Sequence, residues 1–192
     1  LGADHLTMHD TSSGKEIWRL GGLNPEGSGN FRSIASPFHI DGLIVAPYAR
    51  GRSLTAVRLG GSGDVTQTHV AWMSEGTSAD VPTPVPYRGR IYISGDRGTV
   101  ACVNGKTGKT VWMKRLPRGR YAYSASPVVA GGKLYVTRED GITYVLATGD
   151  KYQQLGKNSL YEWTLATPVF VDGQVLIRTA EHLYCIGKGR RS

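Results

Sequence analysis

The sequence predicts an all-β chain of four-stranded antiparallel blades, about four of them, forming part of a β-propeller ring that would have seven or eight blades when complete. Three observations predict it. A Ser/Thr-Pro pair recurs at Ser36-Pro37, Thr83-Pro84, Ser126-Pro127 and Thr167-Pro168, with the prolines 47, 43 and 41 residues apart. A glycine stands five residues after each proline, at Gly42, Gly89, Gly132 and Gly173. Nine residues further on come Gly51, Gly98 and Gly141, with His182 in the fourth place. A fixed period of this length marks a repeat architecture, in which each unit buries its faces only against its neighbours.

The strands follow in order. PFHIDG, PVPYRG, PVVAGG and PVFVDG each supply a first strand and a glycine-containing hairpin turn. Proline is tolerated there because the first strand residue need not donate to the ladder. LIVAPY, RIYIS, KLYVT and QVLIR are second strands, rich in β-branched and aromatic residues. SLTAVRL, TVACVN, ITYVLA and HLYCIG are third strands. EIWRL, VAWMS and TVWMKR are fourth strands carrying a tryptophan, and KYQQL takes that place without one. No segment has an apolar period of about 3.6 residues, so helix is not expected.

The blades divide as 1–30 (the end of a blade), 31–79, 80–120, 121–162 and 163–192 (an incomplete last blade). Two ring readings compete. Either the chain is a partial ring, or its end strands combine to close a four-bladed ring in which the third strand is supplied twice.

The net charge of +8 over 192 residues fits either a polyanionic partner or ordinary solubility. The Arg and Lys residues are dispersed rather than clustered, so nucleic acid is not the expected partner. No apolar run reaches the roughly 20 residues of a transmembrane helix, and the first residues lack the layout of a signal peptide. Cys102 and Cys185 fall on the third strands of different blades, too far apart for a disulfide. Both read as small buried apolar residues.

The stretch ACVNGKTGKTVW (101–112) carries Ala101, Thr107, Gly108 and Trp112 in the pattern Ala-x-Asp-x-x-Thr-Gly-x-x-x-Trp, with Asn104 for the Asp. TMHDTSSGKEIW matches through Asp10, Gly14 and Trp18, with Thr7 and Ser13 as variants. Two repeats depart: GGSGDVTQTHVAW lengthens the turn before Trp72, and ATGDKYQQ places Gln153 at the tryptophan position. The pattern resembles the tryptophan-docking motif of the pyrroloquinoline-quinone-like (quinoprotein-like) propeller repeats. The resemblance implies structural roles for Trp18, Trp72, Trp112, Gly14 and Gly108, with each tryptophan sealing a joint between blades. The class holds both quinoprotein dehydrogenases and non-enzymatic outer-membrane assembly lipoproteins, and it implies a periplasmic or extracellular location.

The dehydrogenases of that class use a catalytic Asp, acidic and Asn ligands for Ca²⁺ and, in many, a vicinal cysteine pair. This sequence has no such pair, and its Asp residues fall mostly in turn positions. The five histidines are scattered, and no nucleophile-elbow motif is present. No catalytic, cofactor-binding or metal residue is therefore assigned, and no cofactor is expected; pyrroloquinoline quinone with calcium belongs only to an alternative reading as a dehydrogenase fragment. The one chemically distinctive segment is KRLPRGRYAY, with Lys114, Arg115, Arg118 and Arg120 beside Tyr121 and Tyr123. It joins two blades, and Arg with Tyr suits a protein hot spot or an anion. The expectation is a binding scaffold for a protein or an extracellular polymer, with self-association or a missing propeller half as further partners. A second alternative is an anion-binding module built on 114–123.

Overall fold

The computed structural model describes residues 1–2, 4–30, 32–48, 53–117 and 119–187. Among them there are strands and turns but no helix. An N-terminal sheet holds β1 (Leu6–His9) and β2 (Glu16–Leu20). Blade I is β3 (Phe38–Ile40), β4 (Leu43–Tyr48), β5 (Ser53–Arg58) and β7 (Val70–Glu75), with β6 (Gly63–Asp64) in the long turn before β7. Blade II is β8 (Val85–Tyr87), β9 (Arg90–Ser94), β10 (Thr99–Asn104) and β11 (Thr110–Arg115). Blade III is β12 (Val128–Ala130), β13 (Lys133–Thr137), β14 (Ile142–Ala147) and β15 (Gln154–Ser159). The last sheet is β16 (Val169–Val171), β17 (Gln174–Arg178) and β18 (Leu183–Gly187). Each blade is an antiparallel meander in chain order, so the molecule is a partial β-propeller.

The first two strands of each blade meet in a two-residue turn with positive φ at both positions: Asp41-Gly42, Arg88-Gly89, Gly131-Gly132 and Asp172-Gly173. That is the type I′ geometry, whose twist matches the flanking strands and which explains the glycine five residues after each proline. The residue before each proline has a role that the sequence did not disclose. Ser36 N–H donates to Thr83 Oγ1 (2.9 Å), Thr83 N–H to Ser126 Oγ (2.9 Å) and Ser126 N–H to Thr167 Oγ1 (3.1 Å). A hydroxyl at this point staples each innermost strand to that of the preceding blade.

Apolar cores form between consecutive sheets. One joins Trp18 and Leu20 to Ala46, Tyr48 and Val57; a second joins Val45 and Leu54 to Ile91 and Ala101. A third joins Tyr92 and Cys102 to Leu134 and Leu146. Trp72 and Trp112 lie across the joints, and each donates its indole N–H to the next blade, to Gly105 O (3.0 Å) and Gly149 O (2.9 Å). Gly108 is required because a β-carbon there would meet the Trp72 ring at 2.5 Å. Asn104 replaces the usual Asp without loss, since its Oδ1 accepts the N–H groups of Lys106 and Thr107, as Asp10 Oδ1 accepts those of Ser12 and Ser13. Trp18 is buried, but its Nε1 finds no partner among the described residues. The long turn of blade I instead sends β6 to pair in parallel with β2, Trp18 opposite Gly63 and Arg19 opposite Asp64.

Three expectations are corrected. The end strands do not combine into one blade as the closed-ring alternative would have it: among the described residues β1–β2 and β16–β18 belong to separate sheets with no ladder between them. In blade III the fourth strand begins at Gln154, so KYQQL is mostly turn and the connection starts only after Ser159. A β-bulge precedes the tryptophan in the sheets that carry one, with Met8 opposite Trp18, Ala56 opposite Trp72 and Cys102 opposite Trp112. The matching pair in blade III is Val145 opposite Gly156, so Gly156, not Gln153, holds the tryptophan position. Thr148-Gly149 is not the equivalent of Thr107-Gly108: Gly149 O accepts the Trp112 indole as Gly105 O accepts that of Trp72, so Gly149 takes the place of Gly105. Finally, Cys102 is buried, its thiol pushed up to about 11 chiefly by desolvation, but Cys185 is exposed, on the outermost strand of its sheet among the described residues.

Candidate protein-binding face

Antiparallel order puts the inter-blade connections (21–37, 76–84, 116–127 and 160–168) at the same end of the blades as the turns between second and third strands (95–98, 138–141 and 179–182). Backbone bonds weave them together. Tyr123 N–H donates to Asp96 O (3.0 Å), Glu139 N–H to Ala122 O (3.0 Å), Thr164 N–H to Glu139 O (2.9 Å) and Ala180 N–H to Trp163 O (2.8 Å). Connecting segments on a rigid scaffold are where binding residues concentrate.

The residues singled out from the sequence do not form one patch. Lys114 and Arg115 are exposed at the end of β11, and Arg118 lies outside the described residues. Arg120 is exposed and turns onto Tyr121, its guanidinium 5.0 Å from the ring centroid and 3.0 Å from the phenolic oxygen. Tyr123 is a core residue, 1% exposed, with its hydroxyl donating to Pro117 O (3.0 Å) and its phenol pushed up by burial. Its ring needs the space left by Gly98, where a β-carbon would approach it at 2.9 Å. It therefore shapes the loop from below rather than meeting a partner. Arg138, 9% exposed, does the same, with a bidentate pair to Asp140 (2.8 and 2.9 Å) and a bond to Pro117 O.

The next connection supplies what the sequence reading passed over. Tyr161 is 93% exposed, Trp163 47% and Leu165 49%. Tyr161 holds φ +54°, an uncommon conformation for a bulky residue and one that costs energy. The loop is fixed from beneath by Glu162. Its carboxylate accepts from Thr179 Oγ1 (2.7 Å), the N–H groups of Glu181 (2.6 Å) and His182 (3.2 Å), and the Tyr184 hydroxyl (2.9 Å), and it pairs with His182 Nδ1 (2.9 Å). These bonds, led by Thr179, hold the carboxyl at about 2. Trp163 O and Ala122 O play the same part in consecutive connections, so Tyr161 occupies the place of Arg120 one blade on. The signal was the Tyr-Glu-Trp run at 161–163, which a search for basic charge does not weigh.

Between the first two connections and the 95–98 turn lies an open cleft of about 780 Å³, with Arg32, Thr77, Asp80, Asp96 and Arg97 on its walls. Arg32 and Asp80 form a bidentate pair across it. Among the described residues no three His, Cys, Asp or Glu side chains come together as a metal-binding set, and Cys102 and Cys185 lie in different sheets. No helix is long and apolar enough to cross a membrane among these residues.

Comparison with solved structures agrees with the architecture. BamB from Moraxella catarrhalis superposes with a TM-score of 0.69 at 12% identity, covering 96% of this chain and 55% of that one. A quinohemoprotein alcohol dehydrogenase from Pseudomonas putida gives 0.61 at 12% identity, with coverage of 84% and 29%. The computationally designed protein Ika4 gives 0.64 at 16% identity, with 92% and 99%. At such identities the likeness shows the fold alone, and this chain spans about half the length of BamB. No curated protein matches by sequence. The family model described as outer membrane protein assembly factor BamB matches residues 2–165. With most of its length inside that match, the chain belongs to the BamB family of quinoprotein-like propellers.

Proposed function

We propose that this chain is part of a non-catalytic propeller scaffold of the bacterial envelope, periplasmic in location, that binds a protein partner through its inter-blade loops. The observation that carries the reading is the pair Tyr161 and Trp163, exposed on a loop that Glu162 pins from below, one blade from the stacked Arg120 and Tyr121. Trp, Tyr and Arg dominate the energetics of protein interfaces, and a loop ordered in advance loses little entropy on binding. Family membership supports a protein partner over an extracellular polymer, and supports the envelope location.

A photo-crosslinking amino acid at position 163, introduced into the full-length protein in its own cells, tests the reading. A discrete protein adduct that disappears with Tyr161→Ala supports it; no adduct from position 163 or 120 overturns it. The likeness to a quinohemoprotein dehydrogenase favours a second reading, a fragment of a quinoprotein-like enzyme. Dye reduction dependent on added quinone and Ca²⁺ would establish that reading instead.

A further inference from the structure

The two ends of blades II and III differ in their balance of charge. At the hairpin end, residues 87–90, 104–110, 130–133 and 147–153 hold six cations, Arg88, Arg90, Lys106, Lys109, Lys133 and Lys151, and one carboxylate, Asp150. Arg90 takes that carboxylate in a bidentate pair at 2.7 and 3.0 Å. The four lysines and Arg88 are exposed. Asp41, on the neighbouring hairpin of blade I, lies beside Gly89, and Asp172, on the hairpin of the last sheet, shares a cleft with Gly131 and Lys133. At the opposite end, the loops of the same two blades and the end of β11 carry the carboxylates Asp80, Asp96, Glu139, Asp140 and Glu162 among Arg97, Lys114, Arg115, Arg118, Arg120 and Arg138. Cations therefore stand at both ends; the hairpin end is the more positive because it carries fewer carboxylates, and the 114–123 segment stands at the mixed-charge end.

The basic end is a fixed surface. Gly105 N–H donates to Gly89 O (3.0 Å) and Thr148 Oγ1 to Gly132 O (2.8 Å), tying the two turns of each blade together. The Trp112 indole bond to Gly149 O and the Arg90–Asp150 pair tie blade II to blade III.

We propose that this hairpin-turn end lies against an anionic lipid bilayer. Its cations stand on turn tips spread over two blades, a layout that matches the diffuse charge of a bilayer surface. A single-stranded nucleic acid would need a basic groove with stacking rings, and no exposed aromatic side chain stands at these turns among the described residues. The orientation leaves the loop end, with Tyr161 and Trp163, facing away from the lipid. The inference is independent of the protein-binding reading, because it concerns the other end of the blades.

Co-sedimentation with vesicles tests it. The chain is expected to partition onto phosphatidylcholine vesicles containing phosphatidylglycerol and not onto phosphatidylcholine alone, with binding that weakens as salt shortens the Debye length to about 10 Å at 0.1 M. Each cation near the surface contributes about fivefold in partitioning, so neutralising three is worth roughly a hundredfold. Lys106→Gln/Lys109→Gln/Lys133→Gln is expected to show that loss, and Lys114→Gln/Arg115→Gln/Arg120→Gln, with the same net charge, to keep nearly full binding. Equal loss in both variants, equal binding to zwitterionic vesicles, or binding to a soluble polyanion such as heparin but not to vesicles overturns the proposal. Unchanged near-ultraviolet circular dichroism shows that each variant is folded.

Discussion

Trp72 and Trp112 each give an indole N–H to a glycine carbonyl of the next blade, whereas Trp18 is more deeply buried and gives its N–H to no described partner. Replacement by Phe should separate these cases. Trp112→Phe removes a hydrogen bond and leaves Gly149 O unpaired, costing about 1–3 kcal/mol beyond the packing loss. Trp18→Phe should cost only the packing loss. Urea unfolding of the two variants checks the difference, and equal costs would mean that the indole bond does not hold the joint. Glu162 makes a pH prediction. Its carboxyl is held at about 2, below the ordinary 4.5, by the Thr179 hydroxyl and the neighbouring N–H donors. Its contribution to stability is therefore full above about 4.5 and is lost as the pH falls through about 2. The melting temperature should decline over that window, and Glu162→Gln should flatten the decline.

At the scale of the element, the hydroxyl before each proline links neighbouring innermost strands, from Ser36 to Thr83, Ser126 and Thr167. Thr83→Val keeps the shape and removes the acceptor for Ser36 N–H, so a loss of about 1 kcal/mol is expected, with Thr83→Ser restoring it. Denaturant midpoints with an unchanged slope would check this. The fourth strands show how far local sequence reaches. Where the turn is short, as in GKTGKTVW, counting residues located Trp112 correctly. In blade III the Thr148-Gly149 pair reads like Thr107-Gly108, but Gly149 takes the place of Gly105, accepting the indole of the preceding blade, and the equivalent position falls at Gly156 rather than Gln153. The register of that strand is set by its ladder with β14, a tertiary fact with no local marker. The pairing of β6 with β2 is hidden for the same reason: two residues, Gly63 and Asp64, carry no strand signal of their own.

At the scale of the molecule, the face of β16–β18 turned away from blade III exposes Val169, Val171, Leu183 and Cys185. Gly156 also leaves the joint between blade III and this sheet without a tryptophan. Contiguous apolar surface of this kind is normally covered. This chain alone is therefore expected to self-associate, and the family's larger ring offers the alternative cover. Light scattering should find species above 20.8 kDa; a monodisperse monomer would show that the face is tolerated in water. Removing the exposed anchor, by Tyr161→Ala, should abolish partner cross-linking while leaving the unfolding free energy within about 0.5 kcal/mol, since that ring lies almost wholly in solvent.

The sequence by itself determined the repeat, the strand order within a blade, the hairpin glycines and the tryptophan docks. Each is a local signal, because a turn needing positive φ or a strand needing apolar side chains states its demand in a few adjacent residues. Only the tertiary structure decided which loop residues reach solvent. Tyr123 and Tyr161 read alike in sequence, yet one fills the space above Gly98 and the other stands in water. It also decided that carboxylates gather among the cations of the loop end and leave the hairpin end the more positive. Blades that follow one another at intervals of about 43 residues bring turns distant in the chain into one surface, and no local pattern records which charges will meet there.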